Sequence, residues 1–266
     1  MTSLPVIRKM NILGIEMGCM SYDDMYILFD NWLRDKSTRS HAVAAINAYG
    51  CVCGVLDKHV RRAFNAADIV GIDSMPFVYW ARRFYEPRTD RLYPPDMILH
   101  ICSRAGARPC TFYLYGGYPG AAAKIEGFLK NRYQGVQVVG AHAPPFRELT
   151  EEEDAAICDE INRLQPDFVW VGLGSPRQDQ WIQAHKEKIR GSIMVASGAL
   201  FDFYSGRIRQ APRWIRCLGF EWLYRLFQDF PRLWKRYTVY NIIFVVLFVF
   251  QRLRMIRFSN ADASEP

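Results

Sequence analysis

Short apolar runs alternate with longer stretches of mixed polarity from the N-terminal region as far as Gly198. Apolar runs without polar alternation are typical of strands buried on both faces, and apolar residues three or four apart are typical of amphipathic helices. The pattern predicts strands at 11–15, 42–47, 69–72, 110–115, 136–139, 168–171 and 193–196. It predicts helices at 22–36, 55–64, 76–84, 96–105, 121–133, 151–164 and 179–188. Thr150 and Glu153 form a capping box, which fixes the start of one helix.

This alternation indicates an α/β fold. Strands that alternate with helices form a mainly parallel, Rossmann-like sheet with helices on both faces. Ligands of such sheets bind beyond the carboxyl ends of the strands. We therefore expect a site near four strand ends with unusual residues: Asn47, Asp73, and the glycine turns LYGGYPG and VGLGSP.

The composition changes after Asp202. Residues 206–257 hold eleven Arg and Lys against Glu221 and Asp229, a net charge of +9, whereas the whole chain carries +7. Aromatic residues are interleaved with these arginines. We predict an α/β catalytic domain at 1–205, a helical C-terminal appendage at 206–257 that completes the active site, and a disordered tail at 258–266.

The appendage contains the apolar run IIFVVLFVF at 242–250, followed by Arg252 and Arg254. This run is shorter than the roughly 20 residues that a membrane-spanning helix needs. A basic, aromatic and partly apolar segment instead favours peripheral attachment to an anionic membrane surface. The alternative is a pair of core helices with solvated arginines. We expect no transmembrane span and a location on the cytoplasmic face of the bacterial inner membrane.

The bulk composition excludes few other classes. Half of the residues are hydrophobic and 23% are charged, which is typical of a globular protein. Seven scattered cysteines lack the spacing of a zinc site or a redox pair, so we expect mostly buried thiols in a reducing compartment. The N-terminal residues lack the apolar core of a secretory signal.

Two glycine turns follow predicted strands. Gly116 and Gly117 follow one, and Gly174 lies in the VGLGSP turn after another. Ser175 is expected at the N-cap and Pro176 at the first helical position. A glycine turn before a helix N-terminus offers N–H groups to an anion. The turns do not match a dinucleotide fingerprint or a P-loop, so the turns alone do not identify the anion.

Asp73 and Asn47 each allow two interpretations. Asp73 follows a strand and precedes a helix, so it is either an N-cap or a general base, and the local sequence favours the cap. Asn47 is either a turn residue or a partner for a sugar hydroxyl. The five histidines show no metal-ligand spacing, and His142 is the best histidine candidate for a site. We expect neither a metal nor a cofactor.

Several stretches together resemble one family, the bacterial glycosyltransferases typified by TagA, WecG and CpsF. They are NAYG, ADIVGIDSM, VGLGSPRQDQW, FDFYSGRIRQAPRW and LGFEWLYRLFQDFPRLWKR, and the resemblance covers about 11–236. Over its whole length the chain is most similar to the glucosyltransferases of xanthan-type exopolysaccharide assembly. The resemblance implies transfer of a sugar from a UDP-sugar, with inversion, to a saccharide on a polyprenyl diphosphate.

The resemblance also assigns roles to residues. It places Asp73 at the position of the catalytic base, which reverses the local preference for a cap. The positions that it implies for substrate binding are Asn47, Arg91, Gln178, Asp202, Arg225, Arg232 and Arg236. In the family, arginines at the C-terminal positions close over the donor diphosphate.

Two departures from the family pattern concern acceptor recognition. Ala45 replaces a threonine, and Ser74 replaces a glycine. They are compatible with a glucosyl donor rather than the N-acetylmannosaminyl donor, or its uronic acid, that other members use. Arg177 and Asp179, beside Gln178, are expected to be solvated.

Three other classes remain as alternatives. A nucleotide-binding oxidoreductase is disfavoured by the missing fingerprint near the N-terminus. A nucleic-acid binder would leave the apolar run at 242–250 unexplained, so we expect no nucleic-acid partner. A non-catalytic lipid-binding protein would be separated by transfer assays. The sequence leaves the oligomeric state open, including a homo-oligomer.

Overall fold

The computed structural model describes residues 3–35 and 39–258. The strands of the described chain are β1 (Arg8–Ile12), β2 (Ile15–Cys19), β3 (His41–Ile46), β4 (Ile69–Ile72), β5 (Cys110–Gly116), β6 (Val136–His142), β7 (Phe168–Gly172) and β8 (Ile193–Ala196). Six of them form one sheet in the order β4-β3-β8-β7-β5-β6. The pairs β3–β8, β8–β7, β7–β5 and β5–β6 are parallel. The predicted α/β class with a mainly parallel sheet is confirmed.

Helices connect the strands and follow the last one. Those up to β8 are α1 (Tyr22–Arg34), α2 (Ala48–Leu56), α3 (Lys58–Asn65), α4 (Met75–Phe84), α5 (Pro94–Arg104), α6 (Ala121–Lys130), α7 (Glu151–Leu164) and α8 (Arg177–His185). Those after β8 are α9 (Gly198–Tyr204), α10 (Arg213–Cys217), α11 (Glu221–Gln228), α12 (Phe230–Tyr237) and α13 (Val239–Arg252). The capping box of α7 is confirmed: Thr150 accepts from Glu153 N, and the Glu153 side chain accepts from Thr150 N.

Two predicted elements were wrong. The strand predicted at 11–15 is a turn between β1 and β2, which form an antiparallel hairpin with Ile12 opposite Ile15. Leu13 and Gly14 make this turn, both at positive φ. The helix predicted at 55–64 is two helices, because Asp57 ends α2 and caps α3 with its Oδ1, 2.8 Å from His59 N.

The chain forms two compact units. The first comprises Met1–Pro5, Tyr22–Ala44 and Tyr93–Arg207. The aromatic core of its sheet is built from Phe112, Phe168 and Trp170, which are nearly inaccessible and pack edge to face. Five of the seven cysteines of the chain are buried, as predicted.

The second unit comprises Val6–Ser21, Ala45–Leu92 and Ile208–Pro266. In it α13 packs one side against α4, with Phe244 on Phe77 and Phe248 on Trp80 at ring-centroid distances of 5.1 and 5.7 Å. Gln251 ties the end of α13 to the hairpin, donating to Asn11 and accepting from Leu13 N. The predicted appendage therefore folds together with earlier parts of the chain. Of the predicted disordered tail, 259–266 lies outside the described residues.

The last helices include one stretch, Phe230–Arg252, that is long and apolar enough to cross a membrane by length and composition. It joins α12 to α13, so it is longer than the apolar run on which the sequence prediction relied. Within its most apolar window, 17% of the residues are buried. A single helix of this kind is weak evidence for a span.

Candidate functional site

In the first unit, the glycines that follow β5 and β7 are in close backbone contact. A Cβ on Gly116 would lie 2.5 Å from the carbonyl oxygen of Gly172, and a Cβ on Gly172 would lie 2.2 Å from the Phe201 ring. Gly117 has φ +74 and donates its N–H to Gly172 O at 3.1 Å. These glycines are therefore required for close packing of the two turns, quite apart from any ligand.

Gln178 joins two turns of the first unit. Its side-chain oxygen accepts from Gly174 N and from Gly198 N, each at 3.0 Å. Gln178 is only 7% exposed. The amide of Gly174, which the sequence offered to an anion, is thus already paired. Among the described residues the Gln178 Nε2 has no hydrogen-bond partner, so this nitrogen is the part of the side chain left for a ligand.

The start of α8 differs from the sequence prediction. The N-cap is Pro176 and the first helical residue is Arg177, so the predicted cap at Ser175 was wrong by one residue. The Ser175 hydroxyl instead donates a hydrogen bond to Asp179 Oδ2 at 3.0 Å. Arg177 is exposed, as expected.

Asp179 was expected to be solvated, and this was wrong. It is 3% exposed, and its Oδ1 is buried without a hydrogen-bond partner among the described residues. Burial raises the pKa of Asp179 to about 7, although the hydrogen bonds from Ser175 and from its own backbone oppose the rise. The first unit therefore carries a buried carboxyl group next to Gln178.

Asp202 follows in α9 of the first unit. It lies 3.5 Å from Arg207 and its side chain is 16% exposed. The structure thus places Gly116, Gly117, Gly174 and Gln178 in one group of turns, and places Asp202 next to Phe201, which packs on those turns.

In the second unit, three charged side chains form one cluster. Asp73 follows β4, and its Oδ1 accepts from Arg91 Nε at 3.0 Å and from Arg91 Nη2 at 2.8 Å. The remaining terminal nitrogen of Arg91, Nη1, donates to Glu221 Oε2 at 2.7 Å. Their side chains are 14%, 18% and 6% exposed, in the order Asp73, Arg91, Glu221.

Asp73 is not a helix cap. The N-cap of α4 is Ser74, which makes no side-chain capping bond. The structure therefore excludes the local interpretation of Asp73. None of the described residues donates a hydrogen bond to its second oxygen, Oδ2.

The pKa of Asp73 is raised to about 6. Burial is the largest cause, and the negative charge of Glu221 adds to it, while Arg91 and Arg225 oppose it. A carboxyl group with a pKa near neutrality can both accept a proton and be regenerated at physiological pH, which is the property of a general base.

The sequence also matches a family model. The model of the glycosyl transferase WecG/TagA/CpsF family covers residues 10–257. The chain belongs to this family. It is therefore a glycosyltransferase, and the family-derived positions can be located in the structure.

Two family positions near the start of α2 have clear contacts. Asn47 is the N-cap of α2, and its Oδ1 accepts from Gly50 N at 3.2 Å. Arg236 stacks on Tyr49 with its guanidinium carbon 4.2 Å from the ring centroid, and its Nε is buried without a hydrogen-bond partner in the described chain. Arg236 thus lies next to the helix that Asn47 begins.

The other two C-terminal arginines differ in exposure. Arg232 is 43% exposed on its side chain and pairs with Asp229 at 2.5 Å. Arg225 acts electrostatically on Asp73, which its charge shifts towards a lower pKa. Arg225 is therefore connected electrostatically to the Asp73 cluster.

Glu221 was not among the predicted site residues and entered only the charge balance. It is nevertheless 5% exposed and contacts Arg91, 130 positions earlier. A signal existed: Glu221 is an isolated carboxylate between Phe220 and Trp222, where a solvated residue is not expected.

A second group of polar side chains lies in the first unit, where Asp154, Cys158 and His185 bring possible metal-ligand atoms within 4.8 Å of one another. His185 Nε2 contacts Asp154 at 2.7 Å, and Nδ1 lies 2.7 Å from Trp181 O. Both ring nitrogens thus face oxygen acceptors. Although burial acts in the opposite direction, His185 and Lys188 lower the pKa of Asp154. The arrangement is that of a hydrogen-bonded pair that joins α7 to α8.

Proposed function

We propose that the protein transfers a sugar, glucose in the first instance, from a UDP-sugar to a saccharide on a polyprenyl diphosphate, forming a β linkage in exopolysaccharide synthesis of the xanthan type. The family membership supports the transfer of a glycosyl group. The observation that carries the mechanism is the Asp73 carboxylate, held by Arg91 through one oxygen with the other open.

The reaction is a single displacement. Asp73 Oδ2 takes the proton of the acceptor hydroxyl while that oxygen attacks C1 of the sugar. The bond from C1 to the diphosphate oxygen breaks, and UDP leaves with the electron pair. Attack from the face opposite the leaving group inverts the configuration at C1. Asp73 then releases the proton to water.

We assign the binding of the leaving diphosphate to the basic second unit. Arg225, Arg232 and Arg236 are the proposed contacts, because a planar guanidinium donates two parallel hydrogen bonds to phosphate and stabilises the charge that develops on UDP. Asn47 is proposed to contact a sugar hydroxyl. In the first unit, the Nε2 of Gln178, the turn at Gly117 and Asp202 stay predicted ligand contacts, as the glycine pattern and the family resemblance imply.

The direct test incubates the protein with a panel of UDP-sugars and a lipid diphosphate monosaccharide and identifies the product by mass. We expect a hexose to be added, and Asp73→Asn to lower kcat by about 10²–10⁴-fold, the usual contribution of a general base. The variant should remain folded, and its affinity for UDP should stay near that of the wild type. If the product instead carries N-acetylmannosamine or its uronic acid, then that sugar, and not glucose, is the one transferred. Near-normal turnover by Asp73→Asn would refute the mechanism.

We further propose that α13 lies on an anionic membrane surface at the cytoplasmic face. One side of the helix packs on α4, and the other exposes Ile242, Val245 and Val249 by 65%, 57% and 44%. A helix with exposed apolar residues between arginines binds at the interface of anionic bilayers.

Vesicle binding tests this attachment. With vesicles that contain a third of phosphatidylglycerol, the paired change Val245→Glu and Val249→Glu should lower the partition coefficient by at least about tenfold, because two apolar contacts are lost and two repulsive charges are gained. Val6→Glu, at a valine that is 95% exposed outside α13, is the matched control. Release from native membranes by high salt or alkaline carbonate supports a peripheral helix, and release by detergent alone contradicts it.

A further inference from the structure

Arg91 is shared by two carboxylates. Its Nε and Nη2 both contact Oδ1 of Asp73, and its Nη1 contacts Oε2 of Glu221. An arginine with one carboxylate partner usually forms two parallel bonds, one to each oxygen. Here both bonds go to the same oxygen of Asp73. We attribute this departure from the usual two-oxygen pairing to the contact between Arg91 Nη1 and Glu221 Oε2.

The position of Glu221 is costly for the fold. The side chain is 6% exposed, and one guanidinium faces two carboxylates within the cluster. Burying an ionised carboxylate removes it from water, and the attraction of its partners often does no more than offset that cost. An uncharged side chain of similar size would avoid the cost. The charge at this position is therefore better explained by what it does to Arg91 and Asp73 than by stability.

We propose that Glu221 is a positioning residue for the transfer reaction: by holding Arg91 Nη1, it keeps Arg91 on a single oxygen of Asp73 and leaves Asp73 Oδ2 open to the acceptor hydroxyl. This inference rests on the proposed function, in which Asp73 is the base. Glu221 itself touches neither substrate nor the reacting atoms. It acts through Arg91.

The charges around Asp73 predict a second effect. The charged groups that face Asp73 are Arg91 from the loop after α4 and Glu221 and Arg225 from α11. Of these, Glu221 raises the pKa of Asp73 and the two arginines lower it. Loss of the Glu221 charge removes a contribution that raises the Asp73 pKa, while the lowering contributions of the two arginines stay. The pKa of Asp73 then falls, and the carboxylate becomes a weaker base.

The geometry also links the base to the C-terminal residues. Glu221 is the first residue of α11, whereas Asp73 and Arg91 precede α5 in the chain. Asp73 reaches the proposed arrangement only when α11 lies in place. The basic C-terminal residues would then have a role in preparing the base in addition to any contact with UDP or lipid.

Two variants of the full-length protein separate these effects. Glu221→Gln keeps an acceptor for Arg91 and removes the charge, whereas Glu221→Leu removes both. We expect kcat to fall in the order wild type, Glu221→Gln, Glu221→Leu, with a loss of at least about tenfold for the last, since small displacements of catalytic groups cost up to about 100-fold. The KM for the UDP-sugar should stay within about twofold. Glu86→Gln, at a glutamate that pairs with exposed Arg88, is the matched control and should behave as the wild type.

The pH profile distinguishes positioning from a purely structural role. The acid limb of the kcat profile should move to lower pH in the same order, because a lower Asp73 pKa keeps the base ionised in more acidic solution. A variant that only destabilises the fold would lose active protein without moving this limb. An unchanged kcat and acid limb in folded Glu221→Gln would overturn the proposal. If Glu221→Leu does not fold, Glu221→Gln alone decides.

Carbon-13 NMR titration of the aspartate carboxyl groups, with Asp73→Asn to assign the Asp73 signal, provides a readout that needs no activity. We expect the Asp73 midpoint to fall in Glu221→Gln. If no sugar is transferred by any form of the protein, the proposed function fails while this titration still tests the link from Glu221 to Asp73. If transfer depends on Asp73 but the midpoint does not move in Glu221→Gln, only the positioning role fails.

Discussion

The turns around Gln178 and the cluster around Asp73 each hold a buried polar side chain of a proposed site in one orientation. They differ in the charge of the groups that hold it. In the first unit a neutral amide oxygen accepts from two backbone N–H groups, at Gly174 and Gly198. In the second unit a charged guanidinium is divided between Asp73 and Glu221. The stability that the neutral arrangement provides should not depend on pH, whereas the stability of the charged cluster should.

Removing the cation should have the largest effect. Arg91→Met leaves Asp73 and Glu221 as neighbouring buried carboxylates, and breaking a buried ion pair costs about 3–5 kcal/mol. Since Arg91 lowers the pKa of Asp73, its loss raises that pKa further. A carboxyl group with a raised pKa loses stability as pH rises, so the destabilisation should be greater at pH 8 than at pH 5.

Urea unfolding at both pH values measures this difference. Arg88→Met, three residues earlier at a side chain that is 76% exposed, is the control and should change the free energy of unfolding very little. Equal destabilisation of Arg91→Met at pH 5 and pH 8 would contradict the description of the cluster as charged.

Removing the amide should have a smaller effect that does not depend on pH. Gln178→Leu keeps much of the volume but leaves the N–H groups of Gly174 and Gly198 without their acceptor. An unpaired N–H group costs about 1–3 kcal/mol when it is buried, and these two are only partly buried, so we expect a loss of about 2–3 kcal/mol at both pH values. Gln180→Leu, at an exposed glutamine of the same helix, should leave stability unchanged. A loss that varies strongly with pH would mean that charges also hold these turns.

The smallest effect is expected at Asp179, the one buried carboxyl group of the described turns around Gln178. Its raised pKa, about 7 instead of 3.8, means that the folded protein holds the proton more tightly than the unfolded chain. The contribution to stability is complete below about pH 4 and is lost as pH rises to about 7.

Asp179→Asn does not titrate, so its stability relative to the wild type should rise by about 1–3 kcal/mol between pH 5 and pH 7.5 and level off above that. The unpaired amide of asparagine offsets part of the absolute gain. Thermal unfolding across this pH range measures the trend, with Asp159→Asn at an exposed site as control. A flat difference would show that Asp179 titrates at its ordinary pKa.

The parts of the fold that depend on local sequence were predicted well. The capping box at Thr150 was found because both partners lie within one helical turn. The parallel sheet was found because its strands are continuous apolar runs. The hairpin was missed since Leu13 and Gly14 turn the chain inside the apolar stretch MNILGIEM, and a leucine at positive φ leaves no compositional signal.

The site was predicted less completely. Gly116, Gly117, Gly174 and Gln178 were predicted from the glycine pattern and the family motifs, but the pattern could not show that the Gln178 side chain pairs with the Gly174 amide itself. Asp179 is a charged residue in the polar run at 177–180, so no local rule indicates that it is buried. Glu221 could not be paired with Arg91 from the sequence, because that contact depends on how distant segments pack in the folded unit.

The packing of α13 within the second unit has a consequence for how the protein can be oriented on a bilayer. Phe244 and Phe248 are fixed on α4, and Gln251 is bound to the β1–β2 hairpin. The roll of the helix about its axis is thus set by folding and not by lipid. A protein that presents only one side of such a helix can meet a bilayer in a single pose, so a lipid-borne substrate would always approach the second unit from the same direction.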